Sequence, residues 1–258
     1  MTSAKRPVAI VTGAGRGIGL GIAKALAASG HDIAITGLGE MAADDPVLED
    51  LKAQGAEAAY FPADLSDVAG HAATVEAICD RFGAISCLVN NAGMASVVRG
   101  DFLELTPENY DAIMATNLRG TLFFTQAVLR RMLADEAVTG PRSIITISSV
   151  SSTLSSPERL DYCISKAGLS TLMQGLALRL APHGIAVFEV RPGIIRTEMT
   201  AGVSAKYDAL IEGGLVPMKR WGEPGDIGAI CASLASGNFA FATGSVIDAD
   251  GGLSIGRL

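Results

Sequence analysis

Seven short apolar runs, at positions 8–11, 33–36, 58–61, 85–89, 143–147, 185–190 and 245–248, recur along the chain. Between them lie stretches in which apolar residues return every three or four positions, as Ile18, Ile22 and Leu26 do. Runs this short, apolar at consecutive rather than alternating positions, fit strands covered on both faces. Strands of that kind alternating with helices predict an α/β fold: a doubly wound parallel sheet of about seven strands with helices on both sides. No stretch reads as a linker. The 258 residues lie at the upper end for one core, so a single domain over 1–258 is expected.

Punctuation sharpens two of the helices. Thr106, Pro107 and Glu108 supply an N-cap, a first-position proline and an acid in the first turn, which predicts a long helix over 107–133. A second helix is predicted over 162–180, stopped by Pro182 and Gly184. Residues 74–82 read as the end of another.

Apolar residues make up 49% of the chain and charged ones 18%, with a net charge of −7 and no block of like charge. That balance excludes disorder and argues against a nucleic-acid partner. No apolar run approaches the ~20 residues that span a bilayer. The first seven residues contain no secretory apolar segment, so a cytoplasmic protein is expected. Cys79, Cys87, Cys163 and Cys231 form no Cys-x-x-Cys pair and read as buried thiols. His31, His71 and His183 fit no metal-ligand spacing, and no metal is expected.

Two stretches carry chemistry. The first run leads into Thr12-Gly13-Ala-Gly15-Arg16-Gly17-Ile18-Gly19 and then into a helical pattern. Glycines there allow a tight turn and close approach of backbone to ligand. The following helix N-terminus offers N–H groups and partial positive charge to a pyrophosphate. The second stretch follows the fifth run. Tyr162 and Lys166 stand four apart on one helical face, downstream of Ser148 and Ser149. A free tyrosine titrates near 10 and is a poor base. One cation at ~4 Å favours the phenolate by roughly 4 kcal/mol at an effective dielectric of about 20. Phenol, ammonium and serine hydroxyl together can move a proton on and off an alcohol or ketone oxygen; the hydride must come from a cofactor.

Thr12 to Gly19, Asn90-Asn91-Ala92-Gly93, Asn117, Ser149 thirteen residues before Tyr162, Tyr162-x-x-x-Lys166 and Arg191-Pro192-Gly193 occur in order over nearly the whole chain. In these motifs the sequence resembles the short-chain dehydrogenase/reductase family, and most of all its 3-oxoacyl-[acyl-carrier-protein] reductases. The resemblance implies a Rossmann-like sheet and an oxidoreductase interconverting a ketone and a secondary alcohol. It implies Tyr162 as general acid/base and Lys166 as the cation that supports it and holds the nicotinamide ribose. Ser149 would orient the carbonyl, and Asn117 would hold a water in a proton relay. For the cofactor it implies Gly13, Gly15, Arg16, Gly17, Ile18 and Gly19 at the phosphates, with Asp64 and Leu65 at the adenine. Asn91, Ala92 and Gly93 would line the cleft; Pro192, Gly193, Ile195 and Thr197 would meet the carboxamide. A substrate lid is implied at about 197–220.

An NAD site places an acid at the end of the second strand. That position is Gly37, followed by Leu38, and Arg16 is a candidate for a 2′-phosphate, so NADP(H) is expected over NAD(H). Where the resembling reductases carry basic residues for an acidic carrier, this chain has Asp135-Glu136 and His183-Gly184, with Arg130 and Arg131 one turn earlier. Docking of an acyl carrier protein is therefore disfavoured, leaving small carbonyls, free acyl thioesters, sugars or polyols. A non-catalytic nucleotide-sensing relative is the reading of another class, although all four catalytic positions are kept. The family's habit of pairing its two long helices implies a homotetramer, with Leu118, Leu122, Val128, Leu169, Leu172 and Leu176 as candidate contacts.

Overall fold

The computed structural model describes residues 6–135, 140–202 and 204–256. Seven strands form one parallel sheet: β1 (Val8–Thr12), β2 (Asp32–Gly37), β3 (Ala58–Pro62), β4 (Ile85–Asn90), β5 (Arg142–Ile147), β6 (Ile185–Pro192) and β7 (Val246–Ala249). Their order is β3-β2-β1-β4-β5-β6-β7. The chain winds outward in one direction from β1 to β3 and in the other from β4 to β7. The crevice at the β1/β4 switch is where ligands bind in sheets of this type.

Both faces are covered, as the unalternating runs predict. Along β1, Ala9 and Val11 enter the core beneath α1 (Gly17–Ala28) and α9 (Pro224–Ala235), while Val8 and Ile10 enter the core on the opposite face. That second core lies under α3 (His71–Phe82), α5 (Thr121–Ala134) and α6 (Leu160–Leu180). Helices α1 and α9 meet through glycine: a Cβ on Gly228 would lie 2.4 Å from the Gly21 carbonyl. α2 (Pro46–Lys52), α7 (Glu198–Ala201) and α8 (Ser204–Glu212) are short.

The helix expected over 107–133 is not continuous. It runs as α4 (Pro107–Ile113), a π-helical segment (Met114–Gly120) and then α5. Thr106 caps it as predicted, with its hydroxyl accepting the Asn109 N–H at 3.3 Å. The widened turn surrounds Asn117, whose carboxamide is bonded to the Met94 backbone rather than left in the helical groove. Gly120 lets the helix close on the Leu65 carbonyl, where a Cβ would come within 2.3 Å. Such π-bulges concentrate at functional sites.

Helix α6 starts two residues before the expected 162, and α3 is complete from His71 rather than only an end. Helices α2 and α9 went unread. For α9 the signal existed: Glu223, Pro224 and Asp226 form a capping box with a first-turn proline.

Candidate active site

The ends of β1 and β4 are laced together. Thr12 Oγ1 accepts the Asn91 and Ala92 N–H groups, both at 3.0 Å, and Asn91 Nδ2 donates to the Thr12 and Gly13 carbonyls at 2.9 and 3.1 Å. Gly13 turns the chain with φ +64°, and a Cβ there would lie 2.9 Å from Ala92 Cα. Gly17 opens α1 with φ +55°. Gly15, Ile18 and Gly19 complete the loop. No side chain caps the N-terminus of α1, and its first turn holds no acid. Unspent N–H groups with partial positive charge at a switch point fit a pyrophosphate. The residues present therefore suit the dinucleotide that the motif implies.

The catalytic candidates converge next to this loop. Lys166 is buried on α6; its Nζ donates to the Ile147 carbonyl at 3.1 Å and lies 5.7 Å from the centre of the Tyr162 ring. Asn117 is also buried, with Nδ2 donating to the Met94 carbonyl (2.9 Å) and Ser165 Oγ (3.2 Å) and Oδ1 accepting the Met94 N–H (2.8 Å). Gly93 sits where its absent side chain would meet both: a Cβ would be 3.2 Å from Asn117 Oδ1 and 3.6 Å from Lys166 Nζ. An ammonium and a carboxamide thus meet around Gly93, with the Tyr162 ring beside the ammonium and the end of β5 against it. Ser149 Oγ accepts the Ser151 N–H at 3.0 Å, which leaves the hydroxyl proton available.

The structure separates Ser149 from its neighbour. Ser148 is buried and donates to Glu189 Oε1 at 2.5 Å. The same carboxylate accepts from Ser170 Oγ (2.6 Å) and Arg191 Nε (2.7 Å). This buried network ties β5, β6 and α6 together behind the catalytic residues, and the sequence reading missed it. The i, i+2 spacing of Glu189 and Arg191 on one strand face was the signal available. Two further residues were missed. Asp161 is buried, and its Oδ1 accepts Ser96 Oγ and the Tyr162 N–H, both at 2.7 Å. The guanidinium carbon of half-buried Arg159 lies 5.4 Å from the Tyr162 ring centre.

On the adenosine side, Gly37 closes β2 with no carboxylate. A Cβ there would come within 3.1 Å of Tyr60 Oη, which donates to the Leu38 and Gly39 carbonyls. Burial, with Glu40 nearby, pushes the Tyr60 phenol up from its ordinary value. Asp64 Oδ1 accepts both the N–H and the hydroxyl of Ser66, so one carboxylate oxygen already serves a turn. The Leu65 side chain lies in the core and its carbonyl pairs with His71 Nε2 at 3.1 Å, so little of Leu65 is left to face an adenine. Burial lowers the His71 imidazole, and the Leu65 hydrogen bond offsets this in part.

Pro192 and Ile195 are buried, and Gly193 lies against Asp250, where a Cβ would be 2.7 Å from its Cα. Thr197 opens α7 in a capping box with Thr200. The segment that follows folds over a small cluster of Ile211, Val216 and Trp221, with Trp221 Nε1 donating to Asp208 at 2.7 Å. Met199 and Met218 project into solvent. Arg16 pairs with Glu198 Oε2 of α7 at 2.8 Å, both side chains being largely exposed.

At the expected carrier-docking region, Arg131 pairs with Glu76 (3.3 Å) and Arg130 donates to Gln126 (3.2 Å); Glu136 lies outside the described residues. Of the candidate contact residues, Val128 and Leu169 are buried in their own core. Phe123, Ile164 and Leu178 stand exposed on α5 and α6 instead. Among the described residues no cluster of ligating side chains could hold a metal, and no helix is long and apolar enough to cross a membrane.

Comparison with known proteins agrees with this fold. The family model described as enoyl-(acyl carrier protein) reductase matches residues 13–254. A crystal structure of a 3-oxoacyl-[acyl-carrier protein] reductase from Brucella melitensis, in complex with NAD, is 66% identical, covers 99% of this chain and 100% of its own, and superposes with a TM-score of 0.96. An uncharacterized oxidoreductase of Methylorubrum extorquens is 37% identical over 98% of this chain and 100% of its own length. The 3-oxoacyl-[acyl-carrier-protein] reductase FabG of Staphylococcus aureus is 34% identical over 95% and 97%.

Proposed function

Since the chain belongs to the short-chain dehydrogenase/reductase family, we propose that Tyr162, Lys166, Ser149 and Asn117 interconvert a ketone and a secondary alcohol in the cleft at the β1/β4 switch. The observation that carries this is the meeting of Asn117 and Lys166 around Gly93, beside an uncapped phosphate loop. The dinucleotide, when bound, supplies or takes the hydride. Tyr162 gives its proton to the carbonyl oxygen, or takes one from the alcohol. Ser149 donates to the same oxygen and fixes it for attack. Lys166 favours the phenolate and holds the ribose; Asn117, locked by Met94 and Ser165, positions the water that refills the proton. Glycines 13, 15, 17 and 19 with Arg16 and Ile18 hold the phosphates. Asp64 borders the adenine through the oxygen not bonded to Ser66, with Leu65 contributing backbone alone; Asn91 to Gly93 line the cleft floor, and Pro192, Gly193, Ile195 and Thr197 hold the carboxamide end. The single domain spans the chain, with the lid at about 197–220.

NADP(H) is the nucleotide favoured by Gly37 and Arg16. The Arg16–Glu198 pair does not remove the arginine from use, since exposed pairs are worth only about 0–1 kcal/mol. NAD(H) is the second reading, favoured by the NAD complex of the Brucella protein. The substrate is an oxoacyl or other small carbonyl compound. Carrier docking is disfavoured, because Arg130 and Arg131 have partners on their own surface and Asp135 follows them. Exposed Phe123, Ile164 and Leu178 support a homotetramer through α5 and α6, which sedimentation at micromolar concentration would test against a monomer mass. A spectrophotometric screen of ketones and alcohols with both nucleotides tests the function. Turnover in at least one pairing is expected. Binding of both nucleotides without turnover of any carbonyl would favour a sensor.

A further inference from the structure

We propose that Arg159 is the anchor for a carboxylate on the substrate, so that the carbonyl turned over at Tyr162 belongs to a small oxo acid or its hydroxy acid. This rests on the oxidoreductase reading above and narrows it. Arg159 ends the segment leading into α6, three residues before Tyr162. Its guanidinium is half-buried against the Tyr162 ring, 5.4 Å from the ring centre, and among the described residues it makes no side-chain hydrogen bond or ion pair. Arg99 and Arg119 are also without one, but of the three only Arg159 lies against the Tyr162 ring. Arg16, Arg81, Arg131, Arg191, Arg196 and Arg220 all pair with carboxylates.

Acids are close enough in sequence to have paired with it. Glu158 precedes it, and Asp101, Glu104 and Asp161 line the same groove beside Val98 and Gly100, yet none forms an ion pair with it. Asp161 is turned inward, with Oδ1 spent on Ser96 and the Tyr162 N–H. Contact with an aromatic ring is worth only about 0.5–1 kcal/mol at a site open to water, too little to commit a guanidinium there. The five donors of Arg159 therefore remain for an anion from outside, in the fork geometry that suits a carboxylate.

Placement fixes the size of the ligand. The phenolic oxygen belongs to the ring that Arg159 leans on. With the guanidinium carbon 5.4 Å from the ring centre, Arg159 can act so only if an anion on the guanidinium and a carbonyl on the phenol belong to one short molecule. The phosphate of a long carrier arm is too remote from the reacting carbon to be that anion.

The test uses the full chain with NADH and NADPH. Rates are measured on 2-, 3- and 4-oxo acids, on their methyl esters, and on free and carrier-bound 3-oxoacyl thioesters. Wild type should reduce at least one oxo acid about tenfold or more better than its ester in kcat/KM, the gain of one charge-assisted bidentate contact. Arg159→Gln should lose that preference mainly through KM, and Arg159→Lys should keep part of it. NADH and NADPH dissociation constants, read by fluorescence, should stay within about twofold in both variants, since the phosphate loop is untouched. Equal rates on acids and esters, a preference that survives Arg159→Gln, or carrier-bound thioesters as the preferred substrates would each overturn the assignment. Failure of every carbonyl with both nucleotides would overturn the oxidoreductase reading, and this inference with it.

Discussion

Around Asn117 the polar groups are buried and bonded: its carboxamide to Met94 and Ser165, Lys166 to Ile147, Ser148 and Ser170 to Glu189. In residues 197–218 the pattern is reversed. Met199, Leu210, Leu215 and Met218 expose apolar surface, and among the described residues Ile211 and Val216 are buried in a small cluster with Trp221. Catalytic groups must keep one geometry to a fraction of an ångström, and a low-dielectric, fully bonded setting holds them there. A segment that admits and releases substrate needs few contacts and low local stability. On the proposed function, the difference puts reaction type in the floor and substrate choice at the rim.

The floor should break first. Tyr162→Phe is expected to lower kcat by 10²–10⁴-fold, the usual range for a lost general acid/base, while dinucleotide affinity by fluorescence is kept. Retention of more than about a tenth of wild-type kcat, a loss under ~1.4 kcal/mol, would contradict the role. Next comes Asn117→Ala. It strands the half-buried Met94 N–H and carbonyl, at about 1–3 kcal/mol for an unsatisfied group, and removes one of two bonds from the Ser165 hydroxyl, which still donates to the Tyr162 carbonyl. A lower denaturation midpoint together with lower kcat is expected; loss of one without the other would show that the π-bulge is only structural or only catalytic.

Changes at the rim should be smaller. Trp221→Phe removes the hydrogen bond to Asp208 while keeping most of the ring in the small cluster. Stability should fall by about 1 kcal/mol and KM should change more than kcat. A kcat loss matching that of a floor mutation would erase the distinction drawn here. Gly37→Asp is expected to shift the ratio of kcat/KM towards NADH by charge repulsion. The new Cβ would press on Tyr60 Oη at 3.1 Å, so Gly37→Ala, with the same crowding and no charge, is the control. A wild-type preference for NADH would refute the NADP(H) proposal outright.

The strand runs, their parallel arrangement and the candidate catalytic positions were legible because they rest on local pattern: consecutive apolar residues, glycines after a strand, Tyr and Lys one helical turn apart. The break at Met114–Gly120 was not legible. Positions 107–133 carry good helical periodicity and a proper cap, and the widened turn goes with contacts distant in sequence, from Asn117 to Met94 and Ser165 and from Gly120 to Leu65. Asp64 and Leu65 matched a motif, but the hydroxyl of Ser66 and the imidazole of His71 claim part of what that motif would offer a ligand. Val128 and Leu169 looked like spare apolar surface, yet both are buried within the subunit. Arg159 was silent because whether its charge is paired depends on which neighbours turn towards it; at Glu189 the nearby Arg191 was legible, but Ser148 and Ser170, 41 and 19 residues away, were not. Sequence determined what repeats within a turn or a strand, because those contacts are local. Tertiary structure decided which polar heads are already satisfied, and so which remain for a ligand, because partners distant in sequence meet only when the sheet assembles.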